Sequence, residues 1–411
     1  MGSLIGFELK KIVGNRSGMV ACALMFVLLV GVAALNVATT GVRDYESGEY
    51  VQGLTAQRSL HQRAERHTGL LTDERVNADA QAYDHAIELW EQQSDLLEKG
   101  SWESAGDEAI THGVDFWRET AGVFTDDYYG ELVNALDFTD PRPTSLEAAS
   151  RAKLDAGLNA GFWGYFPYTK GEQDFWRGSA DKIAWPLEYG YQGGWHNVLM
   201  WKGFSGLATV ALCIAVSGVF AGEYRERTAA IVLPTKRGKR ELPLAKVAAV
   251  LIFTTAYWWL LTAAVIAMHV GLAGVQGWNL PLQIAYGYDN AYPLTLGETI
   301  VASYALGYLV SLGAAAFALL LSSKMRSTMP VAATCMAIVF LGIISLFATP
   351  LVKLGVLTPF SGMSYAFDYP ISYALGPLVL DLPSMLALLY GAALVLLAPL
   401  AVRTFVRHQL A

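Results

Sequence analysis

Long apolar runs alternate with polar segments along the 411-residue chain, and this pattern predicts a protein that crosses a membrane several times. A spanning helix needs about 20 predominantly apolar residues. Six segments meet this requirement without an Asp, Glu, Lys or Arg between their ends: 17–38, 203–222, 247–269, 299–322, 329–350 and 382–402. The pattern therefore predicts an all-α polytopic membrane protein with six transmembrane helices.

The polar stretch between the first two runs has a helical pattern of its own. From Val76 to Leu97, apolar residues recur at spacings of four and three, which predicts a helix with one apolar seam. Gly100 would end this helix, and Thr72 would cap its start. An earlier amphipathic run, 54–71, predicts an antiparallel partner helix. Residues 41–195 are thus expected to form a mainly helical domain.

Two more helices are expected in this domain, one after Thr125 and one with Ser145 as its N-cap. Residues 161–195 are rich in glycine and aromatics. They indicate either a surface that binds a ligand or lipid, or an aromatic collar beside the membrane. Four histidines lack the i, i+4 spacing of a helical metal site, so we expect solvated side chains and no metal. They are His61, His67, His85 and His112.

Composition agrees with a membrane protein that carries an acidic domain. The chain is 54% hydrophobic and 16% charged, whereas soluble domains have about 25% charged residues. Residues 41–195 hold 13 Lys and Arg against 28 Asp and Glu, and the rest of the chain holds 16 against 8. All three cysteines lie in apolar runs, so the acidic domain is not a disulfide scaffold.

Basic residues predict the orientation of the spans, because Lys and Arg concentrate in cytoplasmic segments. They precede the first span, fill the loop between the second and third, follow the fourth and follow the sixth. The segments 276–298 and 351–381 contain a single basic residue, Lys353. Both termini are therefore expected in the cytoplasm, and the acidic domain 41–195 outside it.

The segment 351–381 is apolar but broken by Pro359, Pro370 and Pro377. Irregular backbone at membrane depth needs cover from protein or water. The pattern predicts short helices that enter the outer leaflet and could gate it, or else a plain loop.

The spans provide no evidence for an internal source of energy. Ion-coupled carriers usually place Asp, Glu, His or Arg inside their spans. The interiors of these spans have no acidic or basic residue, and His269 lies near the outer end of the third span. The chain also lacks the G-x-x-x-x-G-K-[ST] motif that binds nucleotide phosphates. No catalytic triad or carboxylate pair is apparent, so the chain is predicted not to be an enzyme and to bind no cofactor. Any uphill transport would be energised by another subunit.

The inner loop 223–246 is long, and its basic arms flank the apolar piece "TAAIVLP". Exposed apolar residues in a charged setting are typical of a surface that docks on a protein partner. The alternative is that the basic residues only fix orientation and hold anionic lipid. That alternative leaves the apolar piece unexplained.

The stretch "FAGEYRERTAAIVLPTKRGKRELPLAK" resembles the loop after the second span of bacterial ABC-2-type permeases. Residues 1–16, with "LIGFELKKIVGNRSG", resemble that family's amphipathic interfacial helix. A large outer domain between spans one and two, and a broken segment before the last span, also resemble family features. The resemblance covers nearly the whole chain, from the first span at 17–38 through 203–402 to a cytoplasmic tail at 403–411.

The resemblance implies a permease subunit of an exporter in the bacterial cell membrane, in contact with membrane lipid. It implies a homo- or heterodimer with another permease and a separate ATPase subunit that hydrolyses ATP, with no nucleic-acid partner. The substrate would be a peptide, an antibiotic, a lipid-like compound or an ion. The positions that match the ATPase-coupling loop are Glu223, Arg225, Glu226, Arg227, Thr228, Leu233, Pro234, Arg237, Arg240 and Lys246.

Two other functions remain open from the sequence. One is a membrane-anchored sensor or assembly protein that binds an envelope ligand through the acidic domain. The other is an ion-coupled secondary transporter, since hydroxyl and carbonyl oxygens can bind sodium.

Overall fold

The fold is that of a computed structural model, which describes residues 1–92, 107, 109–228, 231, 234–345 and 351–407, without the side chains of 236, 237 and 345. The chain divides into two compact units. The apolar unit comprises Met1–Ala33, Val198–Met268 and Ile300–Ala411. The acidic unit comprises Ala34–Asn197 and His269–Thr299. The acidic unit thus contains the predicted domain 41–195 together with a later segment of the chain.

The protein is mostly helical, and its helices are numbered here in chain order. They are α1 (Gly2–Gly14), α2 (Arg16–Thr39), α3 (Leu54–Arg66), α4 (Asp73–Gln92), α5 (Val114–Glu119), α6 (Ala121–Phe124), α7 (Asp127–Leu136), α8 (Leu146–Ala160), α9 (Lys170–Ala180), α10 (Gly193–Met200), α11 (Lys202–Ser205), α12 (Ala208–Val216), α13 (Gly218–Arg225), α14 (Lys236–Ala273), α15 (Gln283–Tyr286), α16 (Leu296–Lys324), α17 (Thr328–Ser345), α18 (Val352–Gly355), α19 (Pro359–Tyr365) and α20 (Leu382–Arg407).

Short strands pair as three antiparallel two-stranded sheets, β1 with β2, β3 with β4, and β5 with β6. Their bounds are β1 (Gly41–Arg43), β2 (Tyr50–Gln52), β3 (Gly69–Leu70), β4 (Glu188–Tyr189), β5 (Ser372–Leu375) and β6 (Leu378–Asp381). The prediction of an all-α chain therefore holds for the bulk of the fold but missed these small sheets.

Within the described residues, five helices are long and apolar enough to cross a membrane. They are Arg16–Thr39, Lys202–Arg225, Gly238–Ala273, Leu296–Lys324 and Leu382–Arg407. The second of them consists of α11, α12 and α13 in succession. A helical, polytopic membrane protein follows from these lengths and compositions.

The predicted fifth span, 329–350, corresponds to a shorter apolar helix, Thr328–Ile344 within α17. Residues 346–350 lie outside the described part of the chain, so the count of six spans stays a prediction. At the C-terminus, α20 continues to Arg407, and the rest of the predicted tail 403–411 is also outside the described residues.

The core of the acidic unit is built on α7, which packs against α4 and α8. Tyr128 and Leu132 of α7 meet Val76 of α4 and Ala149 of α8 in one buried cluster. The amphipathic patterns of these helices explain the packing, because each turns its apolar stripe to the others. The N-cap at Ser145 is confirmed by its hydrogen bond from the Ala148 amide.

The sequence predicted that α3 and α4 pair as antiparallel helices, but each of them packs mainly on other elements. α3 packs on the β1–β2 hairpin, while α4 packs on α6 and α7. The continuation of α4 towards Leu97 and Gly100 lies outside the described residues. The aromatic segment 161–195 contains a helix that the sequence pattern did not reveal, α9, which opens with a capping box between Thr169 and Glu172.

The segment 276–298 contributes to the same core, although it is distant in sequence. Ile284 and Tyr288 are buried against the cluster around Leu71 and Leu187. Asp289 forms an ion pair with Lys153 of α8 at 3.1 Å. This loop is therefore a structural part of the acidic unit.

The broken segment 351–381, called here the outer segment after its predicted side of the membrane, is interrupted as predicted. It contains the short helices α18 and α19, followed by the β5–β6 hairpin in place of further helix. Thr358 and Pro359 mark the start of α19, where proline lacks an amide that the first helical turn does not need.

Candidate functional site

The candidate site is a network of buried charges at one end of the apolar unit, where the loop 223–246 begins and ends. Lys246 Nζ donates to Glu223 Oε1 at 2.8 Å and to Glu8 Oε2 at 2.7 Å. Lys11 Nζ donates to the same Glu223 oxygen at 2.9 Å. Thr228 Oγ1 donates to the other Glu223 oxygen. Two carboxylates and two ammonium groups therefore balance each other within one cluster, called here the inner ion network after the predicted side of the membrane.

Burial makes this network energetically important. Lys246, Glu8 and Glu223 are 1%, 3% and 6% exposed. Two desolvated charges repay their cost only when geometry and extra hydrogen bonds are good, and loss of one partner costs roughly 3–5 kcal/mol. Several short charge-assisted bonds meet this condition.

Lys11 lies at the edge of the network, with about half of its side chain exposed. Burial by itself lowers the pKa of Lys11, but the hydrogen bond to Glu223 and the charges of Glu223 and Glu8 outweigh it. The pKa of Lys11 is therefore raised above its usual value, which keeps the ammonium charged. The remaining Glu8 oxygen, Oε1, lies 3.7 Å from Lys11 Nζ.

The network joins three elements that are separate in sequence. Glu8 and Lys11 come from α1, Glu223 comes from the end of α13, and Lys246 lies within α14. In α1, Glu8 and Ile12 are buried one turn apart, while Phe7 and Val13 are exposed. The buried stripe of the N-terminal helix thus includes an acidic residue that the sequence did not single out.

A cavity of about 460 Å³ adjoins the network. Its polar lining includes Glu8, Lys11, Ser17, Ser217, Glu223 and Thr328. These residues belong to α1, α2, the second apolar helix and α17, so four parts of the apolar unit meet around this space.

The second apolar helix is interrupted next to the network. Ser322 Oγ of α16 accepts hydrogen bonds from the amides of Phe220 and Ala221 at 3.0 and 2.9 Å, and donates to the Ser217 carbonyl at 2.7 Å. In an unbroken α-helix, those amides would bond to carbonyls four residues earlier. A side chain inserted into this ladder breaks the helix, which here separates α12 from α13.

The loop residues that the sequence pointed to fall into two groups. Glu223, Thr228 and Lys246 come together in the inner ion network. Arg225 and Glu226 instead form an exposed pair with each other at 3.0 Å, and Pro234 and Arg240 are also exposed.

Three further loop positions add detail. Arg227 adopts a left-handed backbone with φ of 59° where the helix ends. Leu233 lies outside the described residues, and so does the side chain of Arg237. Within the apolar piece, Ile231 is described and is strongly exposed.

Two functional candidates escaped the sequence reasoning. Glu8 could have been found only from its position one turn before Ile12 on an amphipathic helix. Lys202 was placed just outside the predicted span 203–222, yet it is the buried first residue of the second apolar helix. Across the described part of the chain, no group of three or more His, Cys, Asp or Glu is arranged to hold a metal ion.

Comparisons with protein-family models, curated proteins and solved structures find no match for this chain.

Proposed function

We propose that this chain is the permease subunit of an ATP-binding-cassette exporter in the bacterial cell membrane. A separate ATPase subunit would dock on the loop 223–246 and supply the energy, and a second permease copy or homologue would complete the transporter. The substrate class is a peptide, an antibiotic, a lipid-like compound or an ion. In this arrangement the termini are cytoplasmic, and the acidic unit is extracytoplasmic.

The observation that carries the proposal is the inner ion network. Glu223 lies in the last turn of α13, Lys246 lies within α14, which begins at Lys236, and both residues are bonded to α1 as well as to each other. A displacement of the loop by a partner would therefore move three elements together instead of bending a free turn. This is the property needed to pass a conformational change into membrane helices.

The surface of the loop supports a protein partner. Ile231, Pro234 and Arg240 are exposed within one stretch of ten residues. Apolar side chains among charged ones are typical of docking surfaces. Basic residues that only fixed orientation would not require an exposed isoleucine.

The test is co-purification of an ATPase with the full chain from native membranes in mild detergent. We expect an ATPase in equal stoichiometry, and we expect the variant Arg237→Glu/Arg240→Glu to weaken its association by about tenfold or more through charge reversal. The matched control, Arg403→Glu/Arg407→Glu, makes the same change on α20 and should retain the ATPase. Both variants should insert into membranes normally.

A clean monomer or homodimer without an ATPase would contradict the proposal and favour a sensor or assembly protein. Uptake or export driven by an ion gradient in liposomes that contain only this chain would favour a secondary transporter. Undiminished association and transport in Arg237→Glu/Arg240→Glu would remove the coupling role of the loop.

A further inference from the structure

A second buried ion pair lies at the other end of the same apolar helix. Lys202 is the first residue of Lys202–Arg225, and its Nζ lies 2.5 Å from Asp368 Oδ1 and 3.2 Å from the Ser364 carbonyl. The Lys202 side chain is 1% exposed, whereas that of Asp368 is 20% exposed. A fully buried ammonium at the end of a spanning helix is costly, and such groups are usually functional.

The partner of Lys202 belongs to the outer segment 351–381, which packs on the start of the helix backbone to backbone. A Cβ on Gly206 would lie 2.6 Å from the Pro359 carbonyl oxygen, and one on Gly203 would overlap the Ser364 side chain. Only glycine allows this approach. The ion pair therefore lies beside a close backbone contact between this helix and the outer segment, which Gly203 and Gly206 make possible.

The backbone next to Asp368 is strained. Phe367 is buried and has φ of 69°, in the left-handed region that non-glycine residues rarely adopt. Such conformations persist where the surroundings impose them, and they cluster at ligand clamps and switch regions. Here the residue that follows is the one that holds Lys202.

The two ion clusters lie at the two ends of the second apolar helix, Lys202–Arg225. Lys202 and Glu223 are 21 residues apart, which corresponds to about 30 Å of helix. The break at Ser217 lies close to the Glu223 end.

We propose that Lys202 and Asp368 form a latch that holds the outer segment closed on the second apolar helix, and that the latch opens when substrate is released. The release step rests on the proposed function, but the latch itself does not. Asp368 lies at the edge of the contact while Lys202 lies beneath it, so the segment must lift before water reaches the ammonium.

The test uses a buried reporter under the segment. Ser361 of α19 is fully buried. In a full-length chain whose Cys22, Cys213 and Cys335 are replaced by Ala, a Ser361→Cys substitution supplies one thiol, which is labelled in lipid nanodiscs with a membrane-impermeant maleimide.

The test variant is Lys202→Met/Asp368→Asn, which removes both charges, so neither is left buried alone. We expect labelling of the reporter about tenfold faster than with the pair intact, because local opening becomes more frequent. The control Arg151→Gln/Asp181→Asn neutralises an exposed pair of the acidic unit and should leave the rate unchanged. Rates within about twofold of each other for the latch variant and its parent would overturn the proposal.

A second reporter separates opening from general loosening. A chain that keeps only Cys335, which is buried in α17, should label slowly with or without the latch. If Lys202→Met/Asp368→Asn accelerates this thiol as much as the one at position 361, the variant has loosened the whole unit and the latch is overturned.

These measurements need no ATPase, so the latch and the exporter can each be contradicted without contradicting the other. Faster labelling at position 361 without any co-purifying ATPase would support the latch and contradict the exporter. An unchanged rate beside a stably bound ATPase would overturn the latch and leave the exporter supported.

Discussion

At the scale of single residues, the charges that matter are those whose partners are distant in sequence. Lys246 and Glu8 are 238 positions apart, and Lys202 and Asp368 are 166 apart. Each lysine is almost fully buried, so its ammonium has lost its water and depends on a carboxylate for compensation. By contrast, Arg225 and Glu226 are neighbours in an exposed pair, which contributes little to stability.

Replacement of Lys246 tests the inner ion network. Lys246→Met leaves Glu8 without its short bond and Glu223 with one ammonium fewer, and we expect a loss of about 3–5 kcal/mol in the free energy of unfolding. Chemical unfolding of the full chain in detergent measures this loss. Lys239→Met, at an exposed position of the same helix, should change it by no more than about 0.5 kcal/mol.

A double variant makes the electrostatic reason testable. Lys246→Met/Glu8→Gln removes one charge of each sign, so it should be more stable than Lys246→Met alone. If the double variant is the less stable of the two, packing of the lysine stem and not its charge holds the elements together.

At the scale of elements, the second apolar helix is the most informative part of the protein. It carries an ion cluster at each end, close glycine contacts to the outer segment, and a break that a serine from α16 fills. Its sequence reads as one uninterrupted apolar run, because serine and glycine at the break are common inside membrane helices. The break became visible only once Ser322 was located.

Ser322→Ala tests the break. The substitution leaves the buried amides of Phe220 and Ala221 without their acceptor, and we expect a loss of about 1–3 kcal/mol. Thermal unfolding in detergent gives the stability, and hydrogen exchange at these two amides gives the local effect. Ser323→Ala is the matched control, because this equally buried hydroxyl only donates to the Leu320 carbonyl of its own helix. Equal losses for the two variants would contradict a special role for Ser322.

At the scale of the whole molecule, the compact units do not follow contiguous stretches of sequence. The acidic unit takes 269–299 from a part of the chain that reads as a loop between two spans. Ile284 and Tyr288 are buried there in the same core as Leu71 and Leu187. A boundary drawn from charge alone at 41–195 therefore cuts through a hydrophobic core.

A deletion of 41–195, closed with a short Gly/Ser linker, should accordingly make the remaining chain aggregate. It uncovers Ile284 and Tyr288, and exposed apolar patches promote association. We expect aggregation of the full remaining chain in size-exclusion chromatography with light scattering. The same deletion with Ile284→Thr and Tyr288→Asn should be more monodisperse. A plain deletion that is as monodisperse as the full chain would contradict the inclusion of this loop in the core.

The sequence by itself determined the class of the protein, since the length and polarity of an apolar run decide locally whether a helix can cross a membrane. It also located the helices of the acidic unit after Thr125 and Ser145, because caps and apolar periodicity are local signals. It pointed to the loop 223–246 and to Glu223 and Lys246 within it. The tertiary structure alone decided that Glu8 completes their network, that Lys202 pairs with Asp368, and that 269–299 joins the acidic unit. A buried charge acquires its role from whichever partner the fold brings to it, and no spacing along the chain encodes that partner.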